Sequence, residues 1–225
     1  MYKGRSNSQV RTITPGRILN QLRTDIITQR YVKGDRLTET QLAQRFDASR
    51  GSVRVALQSL ESEGLIHTLP NGRKEVLGFT LKQAKEIYDL RWMIENRAVE
   101  CILADRPNFS TPMLTVLQRI ETCAAEPDQA IDWFELDIDF HRALVQTSGN
   151  LPLLKAWEIN SPIMYALLDL NTIKDYKEVY IQEFYSKHKK LFEYIVTENP
   201  KCFEELRIHI LDAQTISSDM LNLFG

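Results

Sequence analysis

Residues 38–65 of the chain read TETQLAQRFDASRGSVRVALQSLESEGL. Thr38 can cap a short helix, because Gln41 follows it at the three-residue spacing of a capping box. After a tight break, Ser49 can cap a longer helix whose apolar residues recur at helical spacing. Gly64 lies where a glycine at the C-terminal cap would end that helix. The segment therefore predicts two helices joined by a tight turn, the centre of a helix-turn-helix unit.

Patterns on both sides of this segment complete a winged helix-turn-helix. An earlier helix is predicted from about Pro15, because apolar residues recur there at three- and four-residue steps: Ile18, Leu19, Leu22 and Ile26. After the segment, Pro70-Asn71-Gly72 separates two short runs with strand propensity, which is a strong hairpin signal. We expect a flexible tail at residues 1–12 and a winged helix-turn-helix domain at residues 13–78.

Strand signals end after residue 78, and long helical patterns follow. The first predicted helix runs to about Ala104, and five more occupy roughly 110–125, 129–147, 151–170, 176–197 and 201–222. Short connections between six helices predict an antiparallel bundle over residues 79–225. The expected fold class is therefore mainly α, with an N-terminal winged helix-turn-helix and a C-terminal six-helix antiparallel bundle.

The net charge of −2 conceals a division between these two parts. Residues 1–78 hold 13 Lys and Arg against 7 Asp and Glu, whereas the remaining residues hold 15 against 23. Such an asymmetry suggests that the basic part contacts nucleic acid. Hydrophobic residues at 43% and charged residues at 26% exclude a globally disordered chain.

Other protein classes are excluded by what the sequence lacks. No apolar run is long enough for a membrane-spanning helix, and the first residues lack the apolar core of a secretory signal. The three cysteines are isolated in the sequence, which fits a reducing compartment better than a disulfide framework. We therefore expect a cytoplasmic protein without a membrane partner.

Candidate DNA contacts gather on the third helix of the winged unit. Arg50 and Arg54 lie four residues apart, so they share a face, and that face is opposite the apolar stripe. Arginine can fork onto guanine in the major groove or bind phosphate. Hydroxyl groups near helix N-termini can bind the phosphates of DNA, and so can the basic residues of the wing. The expected DNA-binding set is Thr40, Ser49, Arg50, Ser52, Arg54, Arg73 and Lys74.

The alternative interpretation of this set is an ordinary solvated helix face. The helix-turn-helix spacing, the wing and the basic charge agree with one another, so DNA contact is favoured.

Three of the four histidines fall on three different predicted helices of the bundle: His141, His188 and His209. Asp137 precedes His141 by four residues, so the two project from one helix face, one turn apart. Bundle interiors build metal sites from such side chains, and this donor set suits Zn²⁺, Ni²⁺ or another divalent transition metal. Spacing alone leaves open that these are ordinary core histidines.

Residues 17–78 resemble the DNA-binding domain of the GntR family of bacterial transcription regulators. The segments that carry the resemblance are Gly34 to Glu39, Gln41-Leu42-Ala43, Ser49-Arg50, Val53-Arg54, Ala56-Leu57 and Leu60 to Ile66. The family usually has Thr-Pro where this chain has Gly51-Ser52, and Glu where it has Val55. Both arginines are retained, so these departures concern the operator sequence rather than DNA binding.

Residues 79–223 are similar to the FCD domain, the ligand-binding domain of the FadR branch of that family, and to its VanR-like subgroup. The similarity is carried by Tyr88, Leu90-Arg91, Glu95, Asp137, Phe140, His141, Leu144, Gly149-Asn150, His188 and His209. Many members hold a metal with an Asp-x3-His pair and two later histidines. The resemblance therefore implies Zn, Ni or Mn bound by Asp137, His141, His188 and His209.

The resemblance also implies a regulatory ligand, often a small carboxylate. Arg91 then either pairs with that effector or forms an internal salt bridge with Glu95. The implied protein is no enzyme but a repressor, which binds a pseudo-palindromic double-stranded DNA operator as a homodimer. Two alternatives stay open: a sensor in which the metal ion itself is the signal, and a helical metal-dependent hydrolase.

Overall fold

A computed structural model describes residues 14–105, 111–125, 131–170 and 176–222, without the side chains of 176–182. The described residues divide between Phe79 and Thr80 into two compact units. The expected tail at residues 1–12 lies outside them. The elements confirm a mainly α chain, with a winged helix-turn-helix followed by a helical domain.

The N-terminal unit contains three helices and three short strands. In chain order they are α1 (Pro15–Ile27), β1 (Arg36–Leu37), α2 (Glu39–Arg45), α3 (Arg50–Ser62), β2 (Ile66–Thr68) and β3 (Lys74–Val76). The apolar stripes of α1 and α3 face each other and form the core of the unit. Their fully buried side chains are Ile18, Leu22, Ile26, Val53, Ala56, Leu57 and Leu60.

The hairpin signal at Pro70-Asn71-Gly72 gives the wing. Gly72 N–H donates to the carbonyl of Leu69 at 2.8 Å, and Gly72 has a φ of +78°. Leu69 N–H donates to Arg73 at 2.8 Å, so the three-residue loop connects β2 and β3 as antiparallel neighbours. Three-residue hairpin loops place one residue in the left-handed backbone conformation, and Gly72 takes that position here.

The sequence did not indicate β1, which pairs antiparallel with β3 and completes a sheet of order β1-β3-β2. Two residues are too short to show the alternation that identifies a strand. Leu37 is buried and Arg36 is exposed, so the strand has one face in the core. β1 pairs with the open edge of β3, and that edge is available only once the unit has folded.

Polar side chains cap the helices where the sequence predicted. The hydroxyls of Thr38 and Ser49 accept hydrogen bonds from the backbone N–H groups of Gln41 and Ser52. At the end of α3, Leu65 N–H bonds to Leu60 O and Gly64 N–H bonds to Glu61 O. These two bonds form a Schellman motif, in which Gly64 takes a φ of +72°.

Six helices make up the described part of the C-terminal unit. They are α4 (Leu81–Asp105), α5 (Thr111–Ala125), α6 (Trp133–Thr147), α7 (Leu151–Asp169), α8 (Tyr176–Val196) and α9 (Lys201–Asn222). α4 packs against α6, α7 and α9, and it therefore lies centrally. Thr80 and Gln83 begin it with a reciprocal capping box. Among the described residues, no helix combines the length and apolarity needed to cross a membrane.

The helix that we expected over 129–147 begins later, at Trp133. The physical reason is Asp132, whose carboxylate accepts hydrogen bonds from the N–H groups of Phe134 and Glu135 at 3.1 and 2.9 Å. Capping by this aspartate places the first helical residue at 133. The offset leaves Asp137 and His141 well inside α6.

Gly64→Ala should lower the free energy of unfolding by about 1 kcal/mol, because alanine must then adopt a left-handed backbone. A Cβ at this position would meet no atom within 4 Å, so the cost comes from the backbone alone. Gly16→Ala is the matched control, since Gly16 lies in α1 and its Cβ would also be free of contacts. The free energy of unfolding can be measured by circular dichroism in increasing guanidinium concentrations. Equal values for both variants and the parent protein would contradict this prediction.

Candidate functional site

Three helices of the C-terminal unit bring the four expected metal ligands together. α6 supplies Asp137 and His141, α8 supplies His188, and α9 supplies His209. One ligand atom from each of these residues lies within 4.8 Å of all the others. Asp137, His141 and His188 are buried, and the side chain of His209 is 10% exposed. The cluster is therefore an interior feature of the bundle.

The four ligand atoms lie within 4.8 Å of one another, and the shortest separations approach those around a single ion. Oδ1 of Asp137 lies 3.2 Å from Nε2 of His188, 3.5 Å from Nε2 of His209 and 3.9 Å from Nε2 of His141. The Nε2 atoms of His141 and His209 are 3.0 Å apart. With metal–nitrogen distances of about 2.0–2.1 Å, neighbouring donors lie roughly 2.9 Å apart in an octahedron and roughly 3.3 Å apart in a tetrahedron.

Two of the imidazoles are held by hydrogen bonds on their outer nitrogens. Nδ1 of His141 donates to the carboxylate of Glu95 at 2.6 Å, and Nδ1 of His188 donates to the carbonyl of Phe184 at 2.7 Å. Because these acceptors cannot donate, each Nδ1 carries the proton and each Nε2 presents a lone pair. Metal-binding histidines are commonly oriented by acceptors of this kind.

Lone pairs therefore converge at the centre of the cluster. Oδ1 of Asp137 and Nε2 of His188 are both acceptors, yet they lie 3.2 Å apart. Nε2 of His188 is buried and forms no hydrogen bond with any described residue. Acceptor atoms placed this closely repel one another unless a cation lies between them. The donor set thus fits a divalent transition metal.

Electrostatics favour the deprotonated ligands that a metal requires. Burial would raise the pKa of Asp137, but its interactions with His141 and Arg91 outweigh burial and hold that pKa well below its usual value. Burial lowers the pKa of His209 to about 3, although Asp137 opposes this shift. Burial likewise lowers the pKa of His141 against the opposing effect of Glu95. These shifts favour a deprotonated carboxylate at Asp137 and neutral imidazoles at His141 and His209.

Arg91 forms the internal salt bridge that the sequence left as one of two alternatives. Its Nε donates to Glu95 at 2.7 Å, and its Nη2 lies 3.4 Å from Oδ2 of Asp137. The side chain is fully buried, yet Nη1 has no hydrogen-bond partner among the described residues. The salt bridge thus leaves one guanidinium nitrogen available beside the metal ligands. The sequence did not indicate that Glu95 also contacts His141, because these residues are 46 positions apart.

The DNA-binding candidates lie at the start of α2, along α3 and on the wing, and they differ in their contacts. Thr40, Ser49, Arg50 and Arg73 are exposed. Ser52 is half-buried, and its hydroxyl lies 2.9 Å from that of Ser49. Arg50 and Arg73 form no ion pair within the described residues, so their guanidinium groups face solvent and can bind an external anion.

The two remaining basic candidates are held by carboxylates. Arg54 forks onto Glu39 of α2 with hydrogen bonds of 2.8 and 2.9 Å, which joins the two helices of the helix-turn-helix. Lys74 of β3 donates to Glu61 of α3 and to Thr68 of β2. The sequence pattern did not predict these pairs. Contact of either residue with DNA stays a prediction.

Comparison with known protein families gives two matches that together cover most of the chain. Residues 14–76 match the model for bacterial regulatory proteins of the gntR family, and residues 86–213 match the FCD domain. Both matches point to transcription regulators and not to enzymes, so the hydrolase alternative is not supported. The FCD match includes all four residues of the cluster.

Individual relatives are similar over most of their length. The HTH-type transcriptional regulator YdhC of Bacillus subtilis is 27% identical over 194 residues, covering 85% of this chain and 84% of the relative. A gluconate operon transcriptional repressor of Bacillus licheniformis is 28% identical over 195 residues, with 80% and 79% covered. Both are similar to this chain across its two units.

Solved structures of low sequence identity share the fold. Lar of Listeria monocytogenes has a TM-score of 0.70 at 14% identity, with 92% of this chain and 98% of that chain covered. McbR/YncC of Escherichia coli has a TM-score of 0.65 at 18% identity, with 91% and 97% covered. These two similarities support the architecture and nothing finer.

His188→Ala should abolish tight binding of Zn²⁺ or Ni²⁺, because it removes a ligand whose Nε2 lies 3.2 Å from Asp137. Isothermal titration of the chelator-treated protein measures this. His67→Ala is the matched control, since His67 lies on β2 with 43% of its side chain exposed. Retention of one tightly bound ion per chain in His188→Ala would show that the cluster is not the metal site.

Proposed function

Because the chain belongs to the GntR family of bacterial transcription regulators and carries an FCD domain, we propose that it is a repressor that a small carboxylate releases from DNA. The observation that carries this proposal is the buried convergence of Asp137, His141, His188 and His209 in the FCD domain. Such a cluster offers a metal site inside a DNA-binding regulator. In this proposal the chain combines a DNA-binding domain with a ligand-binding domain.

The repressing role is supported by the named relatives. Gluconate operon repressors of two Bacillus species are 28% and 26% identical to this chain over 195 and 188 residues. With 80% and 78% of this chain covered, each alignment extends into both units. We assign DNA binding to residues 13–78 and ligand binding to residues 79–225, and the protein acts in the cytoplasm.

The metal in this proposal is Zn, Ni or Mn, held by the carboxylate of Asp137 and the three imidazoles. When bound, it supplies Lewis-acid positions to which an anionic oxygen can coordinate. Four protein ligands leave one or two positions on a five- or six-coordinate ion, which suits one carboxylate group. The bundle contributes a largely buried surrounding, in which such an interaction is stronger than in water.

Arg91 binds the effector carboxylate in this proposal. Its Nε and Nη2 are already directed at Glu95 and Asp137, which fixes the guanidinium in place. Its Nη1 has no acceptor among the described residues, although it is buried next to the cluster. Arginine is suited to this task because it presents several donors from one rigid plane.

On DNA, the protein acts as a homodimer that reads a pseudo-palindromic operator. α3 enters the major groove of each half-site, and a two-fold operator places these half-sites about one helical turn apart. Arg50 contacts base edges or phosphate, Ser49 and Thr40 lie at helix N-termini that attract phosphate, and Arg73 on the wing binds the adjacent backbone. Ser52, Arg54 and Lys74 complete the predicted contact surface.

The first test is a binding experiment on the full chain with an operator selected from random duplexes. Fluorescence anisotropy would measure the dissociation constant of the metal-loaded protein with and without small carboxylates. We expect an effector to weaken operator binding by about 5- to 150-fold, the usual range of allosteric coupling. Equal binding of every duplex at all salt concentrations would refute the role of an operator-specific regulator.

The same titration separates an effector-binding repressor from a metal sensor. Chelation followed by stepwise addition of Zn²⁺, Ni²⁺ or Mn²⁺ shows whether the ion alone changes operator affinity. A repressor of the proposed kind binds its operator at constant metal and responds to the carboxylate. A response to the ion alone would favour the sensor.

Arg50→Ala should weaken operator binding by about 5- to 150-fold, because a bidentate arginine–base contact discriminates by about 1–3 kcal/mol. Arg97→Ala is the matched control, since it removes the same charge from an exposed position on α4 in the other unit. Anisotropy titrations at two salt concentrations report both affinity and salt dependence. Equal affinities of the two variants would remove Arg50 from the contact surface.

A further inference from the structure

Trp157 on α7 is a fully buried tryptophan whose indole N–H has no acceptor among the described residues. Buried tryptophans usually find a partner for this group, because an unsatisfied donor in the interior is costly. Neither the metal cluster nor the DNA-binding surface uses Trp157. The orphaned N–H therefore needs an explanation of its own.

The surroundings of Trp157 connect it to the metal cluster. The Cζ atom of Arg91 lies 5.6 Å from the centre of the indole ring, and the imidazole of His141 lies 6.3 Å from it, centre to centre. Arg91 also has an orphaned donor, its Nη1. Two buried donors on neighbouring side chains are thus unsatisfied beside a metal ligand. One donor is charged and the other is neutral.

The charges of the site limit the ligand that these donors can accept. Among the described residues of the C-terminal unit, the buried side chains with a formal charge are Arg91, Glu95 and Asp137, apart from the histidines. A divalent ion with neutral imidazoles gives this group a net charge of +1. One monoanion makes it neutral, whereas a dianion would leave an uncompensated buried charge, which is costly.

We propose that Trp157 is a specificity residue of the effector site and that the effector is a hydroxy-monocarboxylate. Its carboxylate pairs with Nη1 of Arg91 at the metal, because a charged donor suits a charged acceptor. Its hydroxyl oxygen accepts the hydrogen bond from Nε1 of Trp157. This inference rests on the proposed function, since it specifies the ligand of the same site.

Four three-carbon acids test the inference on the Zn²⁺-loaded full chain: propionate, lactate, 3-hydroxypropionate and malonate. Isothermal titration should show at least one hydroxy acid binding roughly 5- to 10-fold more tightly than propionate, as expected for one additional hydrogen bond. Malonate should bind less tightly than that hydroxy acid, because it adds a second charge. Preference for malonate would overturn the inference.

Trp157→Phe removes the N–H and keeps an aromatic ring. In this variant the hydroxy acid and propionate should bind with about equal affinity, while the affinity for Zn²⁺ stays unchanged. Trp133→Phe is the matched control, because Trp133 is also buried and packs on Phe184. It should keep the preference. A hydroxyl preference that persists in Trp157→Phe would assign the hydroxyl to another group, such as the metal.

A second measurement needs no change at Trp157 and covers the case in which Trp157→Phe does not fold. In protein labelled with ¹⁵N-tryptophan, the variants Trp92→Phe and Trp133→Phe identify two of the three indole signals. The third signal belongs to Trp157. It should shift further with the preferred hydroxy acid than with propionate, and equal shifts would contradict the inference.

These experiments separate a failure of the proposed function from a failure of the inference about Trp157. If no carboxylate binds the Zn²⁺-loaded protein, the proposed effector mechanism fails, and this inference fails with it. If carboxylates bind without a hydroxyl preference that depends on Trp157, the inference alone is wrong.

Discussion

The hydrogen bond of 2.6 Å from Nδ1 of His141 to Glu95 organises the interior of the C-terminal unit. It joins α4 to α6, and it settles which nitrogen of His141 carries the proton. The second oxygen of Glu95 accepts from Arg91, so the carboxylate is satisfied on both sides. Because burial raises the cost of every unpaired charge, Glu95 and Arg91 keep their positions only as a pair. The orientation of His141 follows from this arrangement, and Arg91 extends it to Asp137.

The same arrangement explains why the cluster suits a cation although its ligands are buried. Glu95 and the carbonyl of Phe184 take the outer protons of two imidazoles, and the inner nitrogens are then acceptors that face Asp137. Without a cation, buried acceptor atoms that face one another would be energetically unfavourable. Phe140 packs edge-on against both His141 and His188, which restricts their rotation. Packing and hydrogen bonding thus both fix the orientation of these two imidazoles.

Sequence patterns predicted the parts of the molecule that depend on local spacing. The caps at Thr38 and Ser49, the glycine at position 64 and the Asp137–His141 pair all follow from neighbours within one helical turn. The bundle brings His188 and His209 to that pair, and spacing alone could not decide this. It was expected only by resemblance to a known family.

The remaining features come from contacts between distant segments. β1 exists because β3 has an open edge, and Arg54 and Lys74 are engaged by carboxylates 15 and 13 residues away. Periodicity carries no information about such pairs. For the same reason, the sequence pattern does not single out Trp157 and could not reveal its unsatisfied N–H.

The position of Arg91 and Glu95 along the chain bears on how a ligand signal can leave the site. Both lie on α4, whose first residue follows the boundary between the two units almost directly. At 1.5 Å per residue, Arg91 is about 15 Å from the start of that helix. A ligand that draws on Nη1 of Arg91 therefore acts on the helix that is covalently continuous with the DNA-binding unit. No loop separates Arg91 from the first turn of α4, so the helix backbone alone connects that side chain to the start of the helix.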